Sequence, residues 1–217
     1  MKTPLLLLLG LVAVAPTRAD YRDTVLADNP AGYWRLDTAE PGPDAMVANS
    51  GFLGAVGDGT IVGSIALNAD TPLVGDANPC FDFTSGGRIS IPFDPALVRT
   101  NAFSYETWYK EEVGAGGIRC PLWWRDEPAA GDTRGWVHYM WTDWDPNWGG
   151  RGVVFQSSDV YTTWNGLGST ALYAQGEWQH LVCTFDGQTK RVYVNGVLIA
   201  VSTTAKTSAA NSSAPAR

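Results

Sequence analysis

The most constraining stretch of this chain is residues 176–201, GEWQHLVCTFDGQTKRVYVNGVLIAV, where three apolar runs are separated by two glycine turns. The run 178–185 ends at Asp186-Gly187, the run 190–194 ends at Asn195-Gly196, and 197–201 follows at once. Asn-Gly readily takes the left-handed backbone of a type I′ turn, whose twist matches that of the strands on either side. The stretch therefore predicts a three-stranded antiparallel meander.

The rest of the body has the same texture. Short β-branched and aromatic runs alternate with Gly, Pro, Asn and Asp clusters, the pattern of a sandwich or jelly roll. Strands are expected at 31–36 (AGYWRL), at 87–91 (GRISI, closed by Pro92), at 102–110 (AFSYETWYK), at 135–142 and at 151–156. In AFSYETWYK, alternation puts Phe103, Tyr105, Thr107 and Tyr109 on one face. Helical periodicity is confined to residues 94–99, one expected turn.

The N-terminus reads as a cleavable signal peptide over residues 1–19. Lys2 supplies a positive n-region, and Leu5 to Ala15 form an apolar run that falls short of the roughly 20 residues a bilayer span needs. Thr17 and Ala19 stand at −3 and −1, so cleavage leaves Asp20 first in a mature chain of 198 residues. No later apolar run reaches membrane-spanning length, and no Cys follows the cut to carry a lipid. The expected location is outside the cytoplasm. Losing Lys2 and Arg18 moves the formal charge from −7 to −9, which argues against nucleic acid or anionic lipid as partner. Three cysteines, Cys80, Cys120 and Cys183, permit one disulfide in any of three pairings, or none. Their spacing fits no metal site.

The meander residues Trp178, His180, Asp186, Gly187, Tyr193, Asn195 and Gly196 resemble the core of laminin-G-like jelly-roll domains of the concanavalin A-like lectin/glucanase superfamily. AFSYETWYK resembles that family's F-x-x-E-x-W strand, and AGYWRL its N-terminal strand. The likeness runs from about residue 21 to 205, and it implies a concanavalin A-like antiparallel jelly-roll sandwich of two sheets packed face to face over residues 20–201. It implies that His180 is structural, and that Trp108 and Trp178, in framework strands, are core residues. It does not imply one function, because this fold hosts lectins, adhesion modules and glycosidases.

The residues narrow the choice. Glycosidases of this fold need two carboxylates at fixed spacing. Glu106 stands alone, Glu111 and Glu112 are adjacent and would face opposite ways on a strand, and Asp143 and Asp145 run into Pro146. No catalytic residues are therefore assigned, and a glycoside hydrolase-related domain is only the third reading. Asp143, Asp145 and Asn147 open like a calcium loop, but Trp148 stands where Gly is wanted and Val154 where Glu is wanted. No metal ligand or cofactor is assigned; some relatives bind calcium through scattered rim residues, so the resemblance leaves calcium open without a motif.

Ten tryptophans remain to be housed, seven of them between residues 123 and 164. Trp123 and Trp124 are adjacent, so an extended backbone sends one inward and one outward. WTDWDPNWGG mixes Trp with Asp, Asn, Pro and Gly, a loop composition. An exposed indole stacks on the apolar face of a pyranose while acids and amides meet its hydroxyls. Trp141, Trp144, Trp148, Trp124, Asp143, Asp145 and Asn147 are thus the candidate ligand-binding residues, against the alternative that these rings pack over a sheet. The leading expectation is a secreted, non-catalytic recognition module whose partner is a glycan. The runner-up is an adhesive module that contacts a cell-surface protein within a larger assembly.

Residues 202–217, STTAKTSAANSSAPAR, are small and polar and read as a loop or linker. Laminin-G-like domains usually continue with two further strands, one pairing beside the N-terminal strand. The sandwich is therefore expected to lack its closing C-terminal strands, with the truncation point in this stretch; the alternative is a variant that closes early.

Overall fold

The computed structural model describes residues 20–73, 75–76, 78–97, 101–114, 116–125, 135–145, 150–158, 164–170 and 173–203. The expected signal peptide and residues 204–217 lie outside them. The meander forms at the expected positions, as β11 (Trp178–Phe185), β12 (Lys190–Val194) and β13 (Val197–Ser202). Its second turn has positive φ at both Asn195 (51°) and Gly196 (77°), as a type I′ turn requires. At the first turn the Asp186 carboxylate accepts from the backbone N–H of Gln188 and Thr189. These bonds and Arg191 hold its pKa down to about 2.

Strand β6 (Phe103–Lys110) pairs antiparallel with β11 from Phe103↔Phe185 to Lys110↔Trp178, giving a four-stranded sheet in the order β13-β12-β11-β6. A second antiparallel sheet, β10-β9-β8-β7, is built from β7 (Ile118–Arg125), β8 (Gly135–Asp145), β9 (Gly150–Ser158) and β10 (Trp164–Ser169). Gly152 lets β9 and the end of β10 approach: a Cβ there would lie 2.5 Å from the Ser169 carbonyl oxygen. The two sheets share one core. Leu181, Cys183, Phe185, Val192 and Val194 of one sheet pack with Trp124, Trp136, Met140, Val153 and Phe155 of the other. Phe103 joins them, its ring centroid 5.2 Å from Trp136 and 5.9 Å from both Phe155 and Phe185. This is the expected antiparallel two-sheet sandwich of jelly-roll type.

A smaller core lies toward the N-terminus. Strands β1 (Met46–Val47), β2 (Gly59–Val62) and β5 (Arg88–Ser90) form one sheet, and β3 (Ala66–Asn68) pairs with β4 (Cys80–Asp82). Val47, Ile61, Ile65 and Phe81 pack together, with Trp34 and Ile89 touching both this cluster and the main one. Asn49 organises the approach of the chain: its side chain accepts from Tyr33 and Gly51 N–H and donates to Ala31 and Gly54 carbonyls.

Three expectations need correction. AGYWRL contributes a single bridge, Trp34↔Asn49, because Leu36 adopts φ 58° and the Trp34 indole N–H turns to the Gly57 carbonyl. A helix not anticipated, α1 (Tyr21–Ala27), precedes it, with Asp20 at its N-cap. Trp108 and Trp178 are not in the intersheet core. On β11 the buried positions are Gln179, Leu181, Cys183 and Phe185, so Trp178 and His180 lie on the opposite, outer face. Trp108 pairs with His180 and stacks on it at 4.8 Å, and α1 covers them through Tyr21, which donates to Glu106 and sets its ring edge on Trp108. His180 Nε2 lies 3.4 Å from the Glu106 carboxylate, whose pKa it lowers.

The main core holds one costly group. His138 on β8 is fully buried, and among the described residues neither ring nitrogen has a hydrogen-bond partner. The Tyr105 ring lies edge-on to it at 5.4 Å. Burial lowers its pKa to about 3.

Two predictions follow from this packing. Trp136→Ala should cost about 3–5 kcal/mol in urea unfolding. Trp108→Ala, on the half-covered outer face, should cost clearly less, and equal costs would refute the assigned facing. The second concerns acid. The unfolded imidazole titrates near 6.5, so below that pH the unfolded state binds a proton that folded His138 refuses. Stability should therefore fall as pH drops from about 6.5 toward 3, by up to roughly 1.4 kcal/mol per pH unit. Carboxylates contribute only lower, as pH falls through their own range, which leaves pH 7 to 5 diagnostic. Melting curves across that window should show His138→Leu losing the slope of the wild type; an unchanged slope would exclude His138 as its source.

Candidate functional site

The tryptophan-rich segment is a strand end rather than a loop. β8 runs through to Asp145 and pairs with both neighbours: Trp141 lies opposite Ile118 of β7 and opposite Gly152 of β9. An irregularity separates Trp141↔Gly152 from Asp145↔Gly150, so Trp141, Asp143, Trp144 and Asp145 sit on a bulged stretch just before the β8–β9 connection. The acids in WTDWD do not end the strand: past Trp141 its β7 edge has run out, and it regains β9 only at Asp145↔Gly150; Pro146 follows directly. Bulges re-aim side chains and recur beside binding sites. Trp148 and Asn147 lie outside the described residues.

Trp124 leaves the candidate set. It is 2% exposed, packed in the intersheet core and stacked on Trp136 at 6.3 Å and 23°. No sugar face can reach it. Of the adjacent pair, Trp124 is the inward ring and Trp123 is half-buried.

Around the strand end lie groups that the sequence reading did not single out. Ile118, opposite Trp141, is 56% exposed, and Val113, in the preceding turn, is 75% exposed. Behind them sits a buried acid. Glu111 is 3% exposed while Glu112 is exposed, the opposite facing expected of adjacent residues. The Glu111 carboxylate accepts from the Tyr173 hydroxyl and, at 3.0 Å, from Gln175 Nε2. Its backbone carbonyl accepts from Gly176 N–H at 2.7 Å. Gln175 Oε1 in turn accepts from Gly114 N–H at 3.3 Å. Tyr109, at the end of β6, has its phenol pKa pushed up by burial first and then by the Glu111 charge, with Arg119 of β7 opposing. The only sequence signal for this cluster was the Glu111-Glu112 pair ahead of a glycine-rich turn.

The ends of β6, β8 and β10 and the starts of β7, β9 and β11 therefore converge on one end of the sandwich. It carries exposed aliphatic side chains, the bulged stretch of β8 and, behind them, the buried Glu111 carboxylate with its Tyr173 and Gln175 donors. Among the described residues, no group of three or more His, Cys, Asp or Glu side chains is placed to hold a metal ion. Cys183 is a buried thiol whose pKa burial pushes up, and Cys80 is a half-buried thiol.

Fold and topology define a two-sheet jelly-roll β-sandwich. The chain belongs to the concanavalin A-like lectin/glucanases superfamily, a laminin-G family model of which matches residues 83–217. Among solved structures, it is similar to domain 4 of AbnA, a GH43 extracellular arabinanase from Geobacillus stearothermophilus, in complex with arabinotriose. That match has a TM-score of 0.57 at 19% identity and covers 86% of this chain and 81% of that one. The binding domain of Paraclostridial Mosquitocidal Protein 1 matches with a TM-score of 0.57 at 12% identity, over 88% of this chain and 44% of that one. A tryptophan-to-alanine mutant of HCR/D matches at 0.52 and 12% identity, over 78% of this chain and 40% of that one. At such identities the likeness establishes the fold. A search of curated proteins gave no match.

Proposed function

We propose that this chain is a secreted, non-catalytic recognition module that binds neutral carbohydrate at the β8 end of the sandwich. The observation that carries the reading is the bulged strand end itself, which sets Trp141 opposite exposed Ile118 and carries Asp143, Trp144 and Asp145 on the same stretch. Indole faces take the apolar face of a sugar, and neighbouring acids accept from its hydroxyls. The similarity to an arabinanase domain solved with arabinotriose supports the ligand class. Export rests on the leader at residues 1–19. The absence of catalysis rests on the sequence, where no pair of carboxylates has the spacing that glycoside hydrolysis needs. Glu106 is engaged with Tyr21 and His180 on the far face.

A shallow aromatic site gains about 1–2 kcal/mol per stacked ring, which sets affinity on the order of micromolar to millimolar. Calorimetric titration with arabinotriose and a panel of neutral oligosaccharides should find such a ligand. Trp144→Ala should weaken binding about tenfold, the loss of one stacking contact, with the melting temperature nearly unchanged. Binding should survive EDTA, and no reducing ends should be released from polysaccharide. A large loss of stability in Trp144→Ala with no ligand found for the wild type would defeat the reading and favour packing tryptophans.

A further inference from the structure

We propose that Glu111 is the positioning residue of this rim: its buried carboxylate locks the turn carrying Val113 to the segment carrying Tyr173 and Gln175, and so sets the shape of the surface that meets the sugar. The proposal rests on the carbohydrate reading only for its last step.

Glu111 closes the end of β6, whose partner strand β11 begins at Trp178. The loop before β11 must cross the open end of the sandwich, and residues 173–176 do so under tether. The Tyr173 hydroxyl and Gln175 Nε2 both donate to the one carboxylate, and Gly176 N–H donates to the Glu111 carbonyl. Ala174 N–H donates to the side-chain oxygen of Gln179, itself 2% exposed at the start of β11. Gln175 then passes the constraint on, accepting from Gly114 N–H. Val113 precedes Gly114, and Ile118 four residues later pairs with Trp141. One buried acid thus links the loop that leads into β7, the partner of the bulged strand, to the segment that leads into β11. Charge is what makes it suited to this. Both donors reach Oε2; an ionised carboxylate oxygen has more than one lone pair and no proton, so it accepts both without conflict, and bonds to an ionised group are the stronger kind. A glutamine there keeps the shape but presents an N–H₂ group to donors.

Hydrogen exchange on the full chain tests this without any ligand. In Glu111→Gln, amides of residues 112–114 and 173–176 should exchange about tenfold faster or more, as expected for one lost charge-assisted bond, while the β12–β13 amides keep their wild-type rates. Affinity for the oligosaccharide found above should fall by about the same factor. Unchanged exchange at those loops would overturn the proposal, as would uniform acceleration across all strands, which would mark Glu111 as a general stability residue. Faster loop exchange with unchanged sugar affinity would overturn the positioning step. Faster loop exchange in a protein whose wild type binds no sugar would leave the lock standing and remove the carbohydrate reading instead. If Glu111→Gln does not fold, Gln175→Ala keeps the carboxylate and cuts only the link to Gly114. Its 112–114 amides should then exchange faster, and unchanged rates there would overturn the proposal.

Discussion

Everything in this molecule depends on one aromatic layer closed between two antiparallel sheets. Phe103 sits at its centre, touching Trp136 and Phe155 of the facing sheet and Phe185 of its own. Each such ring, fully buried, contributes on the order of 1.5–3 kcal/mol by leaving water, with more from edge-on contact. Because strand side chains alternate, fixing which rings enter this layer fixes the facing of every residue on the strands that carry them. Trp136, His138 and Met140 of β8 are inside for this reason, and Trp108, one residue away from an inward position on β6, is outside. The outer face then needs its own cover, which α1 supplies at Tyr21.

The same layer tolerates groups that it would be more stable without. Lys190 is 1% exposed on β12, with its ammonium 5.5 Å from the Phe155 ring centroid, a cation–π placement that offsets part of its desolvation. His138 has no such compensation; a buried polar group left without a partner costs roughly 1–3 kcal/mol.

Turn chemistry and alternation made the meander legible to the residue, because Asn195-Gly196 has few other conformations open to it and a two-residue period has no helical interpretation. The sandwich class followed from the same signals. What alternation does not carry is which of two faces is the inner one. Both faces of β6 are aromatic, Phe103, Tyr105 and Tyr109 on one and Trp108 on the other, so Trp108 and Trp178 were assigned inward wrongly. Composition misled at WTDWD for a related reason: Asp is disfavoured in strands on average, but pairing with β9, resumed at Asp145↔Gly150 after the bulge, overrides a weak local preference. Trp124 was half of an ambiguous pair, and only the facing sheet decides which half is buried. The Glu111 cluster was invisible because its parts are about sixty residues apart in sequence. No local pattern announces that Tyr173 and Gln175 will meet an acid at the end of β6.

The division of labour inside the sandwich bears on how its function has to be read. The aromatic layer and the meander require only apolar residues of suitable size at alternating positions, a demand many sequences meet. That is why chains 12–19% identical superimpose over most of this one. The strand ends answer to no such demand. Val113 and Ile118 lie outside the intersheet core, and exposed aliphatic side chains carry a cost in water that the fold does not require. A ligand surface is the economical physical reason for keeping them there. By the same logic, a neighbour's ligand supports a class of partner without naming the partner of this chain, which residues at the strand ends rather than the shared core would have to select.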